Sequence, residues 1–487
     1  MRKVMTSTAL LFALAATPSA HQADALKAAA ESLGAGTIKT LQFTGAGANF
    51  SVGQNFTPSE PWPRVTVKSY TASINFDTAS MRQELVREMG TTMPRGGGAP
   101  FTGEQRQVQV VSGNSAWNLG APAQPAAPAP GNVVERTLML WATPQGFVKA
   151  AMANNATARK AKGGTEVSFT VGGKYKMTGV INAQNDVERV QTWIDQPIVG
   201  DMLVETVYSG YKDFGGVRFP SRIVQSQDGF PSLDIAVATV TANPTVDIAV
   251  PDNVRTAQPA PVTVTSQKLS DGVFYLTGGS HHSLAVEMKD HIVLVDVPQT
   301  EQRALAVIAK AKEVIPNKPI RFLVTSHHHW DHLGGIRAAM DEGATIVTHQ
   351  TNKAFLGRVA RTPHTINPDR FSTSKKPVKI QAVGDMGKLT DGTRTIELHL
   401  LKGYEHTGDM LVVYLPKEKI LAEPDAFTPP ATPTTPLVVT AVPYAAALYD
   451  NIKRLNLDVQ AIVPFHGART GDVAELGRLA GKANAGN

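Results

Sequence analysis

Four histidines and one aspartate crowd into the run His327-His328-His329-Trp330-Asp331-His332. Imidazole and carboxylate together are ligands for divalent cations of intermediate softness. The spacing lets one short stretch serve two of them. In extended backbone alternate side chains point the same way, so His327 and His329 can share one cation while His328 turns aside. As the chain bends into a helix, Asp331 and His332 face a second position. The sequence has no cysteine, so no thiolate joins the set; zinc is the first expectation, with iron or manganese as alternatives. The competing reading is a solvated histidine tract. Against it stand the acidic residue inside the cluster, the apolar run Ile320–Val324 leading into it, and the pair Gly334-Gly335 after it. Further histidine and carboxylate residues stand beside strand-like runs downstream: His406 in Tyr404-Glu405-His406-Thr407-Gly408-Asp409, Asp425 after Ile420-Leu421-Ala422-Glu423-Pro424, and His466 in Ile462-Val463-Pro464-Phe465-His466-Gly467.

Taken in order, these residues resemble the His-x-His-x-Asp-His motif and later ligands of the metallo-β-lactamase superfamily. The resemblance covers roughly the C-terminal half. It implies an αββα sandwich with the metals at strand ends, His327, His329 and His406 on a first metal, Asp331, His332 and His466 on a second, and Asp425 bridging. It also implies two divalent ions, zinc before others, and a metal-bridging hydroxide as nucleophile, with Asp331 as the catalytic residue that orients it or shuttles its proton. One departure is visible: Glu423-Pro424-Asp425 stands where the family usually presents Gly-Asp. Pro424 removes an N–H and stiffens the turn, which leaves Glu423 a competitor of Asp425. Asp296, ending Ile292-Val293-Leu294-Val295, matches a family position that orients the ligand loop. His281 and His282 follow a turn that the family places near the cleft and are candidates to touch substrate, with Trp330 as a wall. His349, His364 and His399 read as structural or solvated, and Arg358, Arg361 and Lys402 as candidates for an anionic substrate.

The elements that must position these residues fall into two halves of an α+β chain. Residues 1–25 read as a secretory signal, with Arg2 and Lys3 before an apolar core and Ala23-Asp24-Ala25 as the cleavage site. Residues 26–243 read as a β-rich accessory domain. Alternation in Glu166-Val167-Ser168-Phe169-Thr170-Val171, closely spaced turns such as Gly172-Gly173, and further strand-like runs predict an antiparallel sheet. One run, 105–119, reads as a single strand. Residues 93–100 and 121–131, rich in Gly, Ala and Pro, read as exposed loops without strands, and 144–154 as a helix lying in a curved sheet. In pattern this half is similar to the half-barrel of periplasmic lipoprotein carriers. The proline-rich, aperiodic residues 244–261 read as a linker. Residues 262–487 alternate short strands and helices, which suggests two sheets between helical layers.

Length and composition bound the rest. The chain has 487 residues, 42% hydrophobic and 18% charged, enough for two substantial cores. The formal charge of +6 is spread along both halves, and no basic block singles out nucleic acid. The apolar run near the start is too short for a membrane span. With no lipid-anchor cysteine, the expected location is the periplasm or outside the cell. A small-molecule substrate is expected; oligomeric state is left open. The leading reading is an exported dinuclear-metal hydrolase acting on an ester, thioester, lactam or phosphodiester. Alternatives are a β-lactamase proper of the cysteine-free subclass, an iron-dependent sulfur dioxygenase, and a non-enzymatic periplasmic carrier of a lipid or apolar ligand.

Overall fold

The computed structural model describes residues 20–90, 94–98, 100–121, 124–432 and 443–482. The expected signal lies largely in residues 1–19, outside the described residues, and its cleavage site falls within the helix Ala20–Ser32.

The N-terminal half is one antiparallel sheet of thirteen strands whose first long strand, Thr40–Phe50, pairs in the middle with its last, Phe230–Ala242. The helices Val133–Ala142 and Pro144–Ala153 pack against it. Thr143 is extended (φ −61°, ψ 152°), as a residue before proline must be, and Pro144 opens the second helix where no N–H is needed. This helix pair touches both Gln105–Ser112 and Gly164–Val171, strands nine places apart in the sheet. Laid flat they would be separated by roughly 43 Å at ~4.8 Å per strand, so the sheet curls around the helices. Apolar side chains of both walls and of the helices, among them Met81, Val111, Leu138, Phe147, Val167 and Phe169, bury into one core. The helices fill the concavity.

The C-terminal half has a seven-stranded and a five-stranded sheet. In Ile292–Val295 the alternation is complete: Val293 and Val295 face the second sheet through a shared core with Leu398, Val413 and Val463, while Ile292 and Leu294 face the helix Glu301–Val314. Tyr444, Leu448 and Leu476 of the helices Pro443–Arg454 and Val473–Leu479 cover the outer face of the second sheet. This is a helix–sheet–sheet–helix sandwich, and the buried strands carry apolar residues on both faces.

Several expectations are corrected. The run 105–119 is a hairpin, Gln105–Ser112 and Ser115–Leu119, because Gly113 takes a positive φ of 53°. Within 121–131 the short strand Ala127–Pro128 pairs with that hairpin at the sheet edge, where proline's missing donor costs nothing. Gly96 and Gly97 are buried rather than exposed. Residues 244–261 still join the two halves, and they include the helix Asp252–Arg255, whose Val254 is buried with Val108, Val110 and Trp117. A short apolar anchor in a proline-rich stretch leaves no periodic signal.

In an antiparallel meander alternate connections share an end. The connection 51–63, the glycine turn 95–98, the turn at Gly200 and the turn at Asp228 therefore lie at one end of the first sheet, and that end meets the second half. Gly200 sits against Pro363, Asp201 accepts from the N–H groups of Thr365 and Ile366, and Arg358 forms a two-pronged ion pair with Asp228 at 2.9 Å.

Candidate metal centre

The ligand-type residues all stand at the ends of buried strands. His327 to His329 follow Ile320–Val324, and Asp331 and His332 lie on the short helix Trp330–Leu333. His406 lies in the loop between Thr395–Leu400 and Leu411–Leu415. Asp425 follows Ile420–Glu423, and His466 follows Ala461–Pro464. Gly334 permits the tight turn behind the helix, since a Cβ there would stand 1.9 Å from the carbonyl oxygen of Gln299.

These residues converge in two overlapping groups. His327, His329 and His406 bring ring nitrogens within 4.8 Å of one another, as do the ligand atoms of His281, Asp331, His332 and His466. Asp425 stands between the groups. Its Oδ2 lies 3.3 Å from His327 Nε2, 3.5 Å from His406 Nε2 and 3.2 Å from His332 Nε2, and its Oδ1 lies 2.9 Å from His466 Nε2.

Hydrogen bonding settles which nitrogen each ring of the first group turns inward. Ser326 Oγ donates to Asp296 Oδ2 at 2.6 Å, so at 3.0 Å it accepts from His327 Nδ1. His329 Nε2 donates to the main-chain oxygen of Asn55 at 2.9 Å, and His406 Nδ1 to that of Gly97 at 2.5 Å. A carbonyl can only accept, so in a neutral ring the lone pair falls on the opposite nitrogen. Those nitrogens, His327 Nε2, His329 Nδ1 and His406 Nε2, are buried without a hydrogen-bond partner, and so is Asp425 Oδ2. Buried polar atoms are almost always satisfied. A cluster of lone pairs facing one point fits a cation.

The electrostatics of His327 and His329 agree. Burial, reinforced by the neighbouring imidazoles, holds His327 and His329 well below the ordinary histidine value, in the neutral form that ligates. Burial pushes His332 down, but Asp425 and Asp296 outweigh it and raise it well above the ordinary value. Burial pushes Asp425 up, yet His332 and His406 hold it well below the usual carboxylate range. Asp331 is likewise depressed: burial opposes, and the hydrogen bond with His281 and the nearby His332 prevail.

The remaining candidates separate by their contacts. Asp296 accepts from Ser326 N at 2.8 Å and from His332 Nδ1 at 3.0 Å, besides the Ser326 hydroxyl. His281 lies inside the second group, its Nε2 3.2 Å from Asp331 Oδ2 and its ring 4.1 Å from that of His466. His282 is turned away, with Nε2 on the Gly467 carbonyl at 2.7 Å. His328 is turned away too, between Asp409 and the side chain of Asn55. Trp330 packs edge-on against Trp62 of the first half at 5.6 Å. Glu423 enters no ligand group among the described residues; its Oε2 accepts from Ala426 N at 2.7 Å and Phe427 N at 3.2 Å, bracing the turn that presents Asp425. His349, His364 and His399 are buried away from both groups, Arg358 is spent on Asp228, and Lys402 pairs with Asp385.

Sequence reasoning missed the contribution of the first half. Besides the two carbonyls, Gln54 Nε2 donates to Asp331 Oδ1 at 2.9 Å.

Residues 276–466 match the family model described as the metallo-beta-lactamase superfamily. Among solved structures, the chain is similar to a metallo-beta-lactamase from Pontibacter korlensis, with 20% identity over 46% of this chain and 100% of that one, at a TM-score of 0.34. It is also similar to the DIM-1 metallo-beta-lactamase, with 22% identity over 46% of this chain and 97% of that one, at the same score. No curated protein matches.

Proposed function

We propose that the metallo-beta-lactamase-superfamily part of this chain makes it a two-metal hydrolase, zinc being the metal that its imidazole and carboxylate donors suit first. The observation that carries this reading is the set of buried, unpartnered atoms His327 Nε2, His329 Nδ1, His406 Nε2 and Asp425 Oδ2 facing one another beside a second His/Asp group. His327, His329 and His406 would hold one ion, Asp331, His332 and His466 the other, with Asp425 shared and His281 at the edge of the second. When bound, the ions polarise a carbonyl or phosphoryl oxygen and bring the pKa of water toward neutrality.

The chain's own residues do the rest. Asp296 holds His332 and the start of the ligand loop in register. Asp331, with over a third of its side chain exposed and both oxygens engaged by Gln54 and His281, is placed to orient water. His281 lines the approach beside His466, while Trp330, expected as a wall, packs instead against Trp62 and Gly53 of the first half. Substrates with an ester, thioester, lactam or phosphodiester bond fit this chemistry, and the donor set does not choose among them.

The test is metal content together with turnover on a panel of those four substrate classes, for the wild type and His329→Ala. Two zinc ions per chain and turnover lost in the variant support the reading. A single iron per chain would move it to sulfur oxidation, and no metal at all would end it. Export rests on the charged start and apolar run of residues 1–25; cell fractionation finding the uncleaved chain in the cytoplasm would refute it.

A further inference from the structure

Two of the three acceptors that decide which nitrogen a first-group histidine turns inward come from the N-terminal sheet. The Asn55 carbonyl takes His329 and the Gly97 carbonyl takes His406. Both belong to connections at the sheet end that meets the second half, and they are tied to each other: Gly97 N donates to Gln54 O at 2.8 Å, and Ser51 N to Pro63 O at 2.9 Å. The loop carrying His406 is gripped on both sides of that residue. Gly96 N donates to Glu405 O, and Gly408 N donates to Phe56 O, each at 2.8 Å. The Asn55 side chain is fixed by Asn55 Nδ2 on Glu60 O at 3.0 Å, and its oxygen lies 3.2 Å from His328 Nε2. The second group is reached as well, through Gln54 Nε2 on Asp331 Oδ1. Gly53 allows this approach. Its φ is +73°, and a Cβ there would stand 2.5 Å from the ring of Trp330; the main-chain N–H of Trp330 donates to Gly53 O at 3.2 Å.

We propose that the N-terminal sheet is a structural part of the metal centre: Asn55 and Gly97 select the nitrogens that His329 and His406 offer to a metal, and Gln54 aims Asp331. This rests on the two-metal reading above. Gln54, Asn55 and Gly97 are positioning residues. The partner of a ligating histidine sets its tautomer and ring orientation, and here that partner is delivered from another sheet. The second half therefore completes its ligand set only with the first half docked.

The experiment uses the full chain, stripped of metal and titrated with cobalt(II), and reads cobalt bound per chain and the visible ligand-field spectrum. Gln54→Met keeps the length of the side chain and removes the donor, Gly53→Ala pushes the loop off Trp330, and Lys174→Ala, on an exposed turn of the first sheet, serves as control. Thermal unfolding followed by circular dichroism reports folding. The expected result is two cobalt ions in the wild type and the control. In Gln54→Met the second ion binds roughly 10- to 100-fold more weakly, with a changed spectrum and unaltered unfolding; in Gly53→Ala both ions weaken. Should Gly53→Ala not fold, Gln54→Met decides alone. Spectra and affinities matching the wild type in the folded variants overturn the inference and leave the two-metal reading standing. A wild type that takes up no cobalt overturns both.

Discussion

Nδ1 of His332 lies 3.0 Å from Oδ2 of Asp296, a fully buried carboxylate whose residue adopts a left-handed φ of +54° at the end of Ile292–Val295. That conformation is uncommon for a side-chain-bearing residue, and Asp is among the few that tolerate it. It lets one carboxylate reach the main chain and hydroxyl of Ser326 as well as the His332 ring.

Asp296→Ala should therefore act on metal affinity more than on fold class. Removing the acceptor strands three buried donors, each worth about 1–3 kcal/mol when unsatisfied, and should weaken metal binding roughly 10- to 100-fold. Competition with a chromophoric chelator reads this. Unchanged affinity in a folded variant would show that Asp296 is only a strand-end carboxylate.

Asp425 and Glu423 make opposite predictions. Asp425→Ala should cost at least one metal ion per chain, because its carboxylate faces both groups. Glu423→Gln should keep both ions, because Glu423 serves the N–H groups of Ala426 and Phe427 instead. Elemental analysis of the two purified variants separates them; loss of metal on changing Glu423 would return it to the ligand set.

Chelation should lower the melting temperature, since ligands that bind only the folded state stabilise by RT ln(1 + [L]/Kd), about 2.7 kcal/mol at a hundredfold excess over Kd. Scanning calorimetry with a chelator and then with added zinc checks it, and identical transitions would argue that no metal binds the folded chain.

Away from the centre, Arg337 and Asp369 form a buried ion pair joined by two hydrogen bonds. Burial pushes the Asp369 carboxyl up, but the bonds from Arg337 and Ser372 bring it down to about 2 from 3.8. A depressed carboxyl contributes stability that is complete above the unfolded value and disappears as pH falls through about 2. The shift corresponds to about 2 kcal/mol. Urea titrations of the wild type and Asp369→Asn should differ most above pH 4 and converge toward pH 2; a difference independent of pH would refute the assignment.

The cluster 327–332 was legible because metal ligation demands particular side chains at short spacing, whereas its distant partners His406, Asp425 and His466 were read only through the resemblance to a family. The antiparallel sheet was legible in runs such as 166–171, where alternation matches one buried face. Less was legible at 105–119, where a hairpin looked like one strand because both arms are β-rich. The glycines at 96–98 looked like an exposed loop, although Gly96 and Gly97 are buried; glycine permits a close approach as readily as it permits exposure.

By itself the sequence determined which residues hold donor atoms and in what order strand ends deliver them, because those properties belong to side-chain chemistry and local periodicity. Only the tertiary structure decided which nitrogen each ring turns inward and what holds it there. The groups responsible for His329 and His406 are main-chain oxygens, 274 and 309 positions away along the chain. Every residue carries such an oxygen, so no residue type could announce these two before the sheets met.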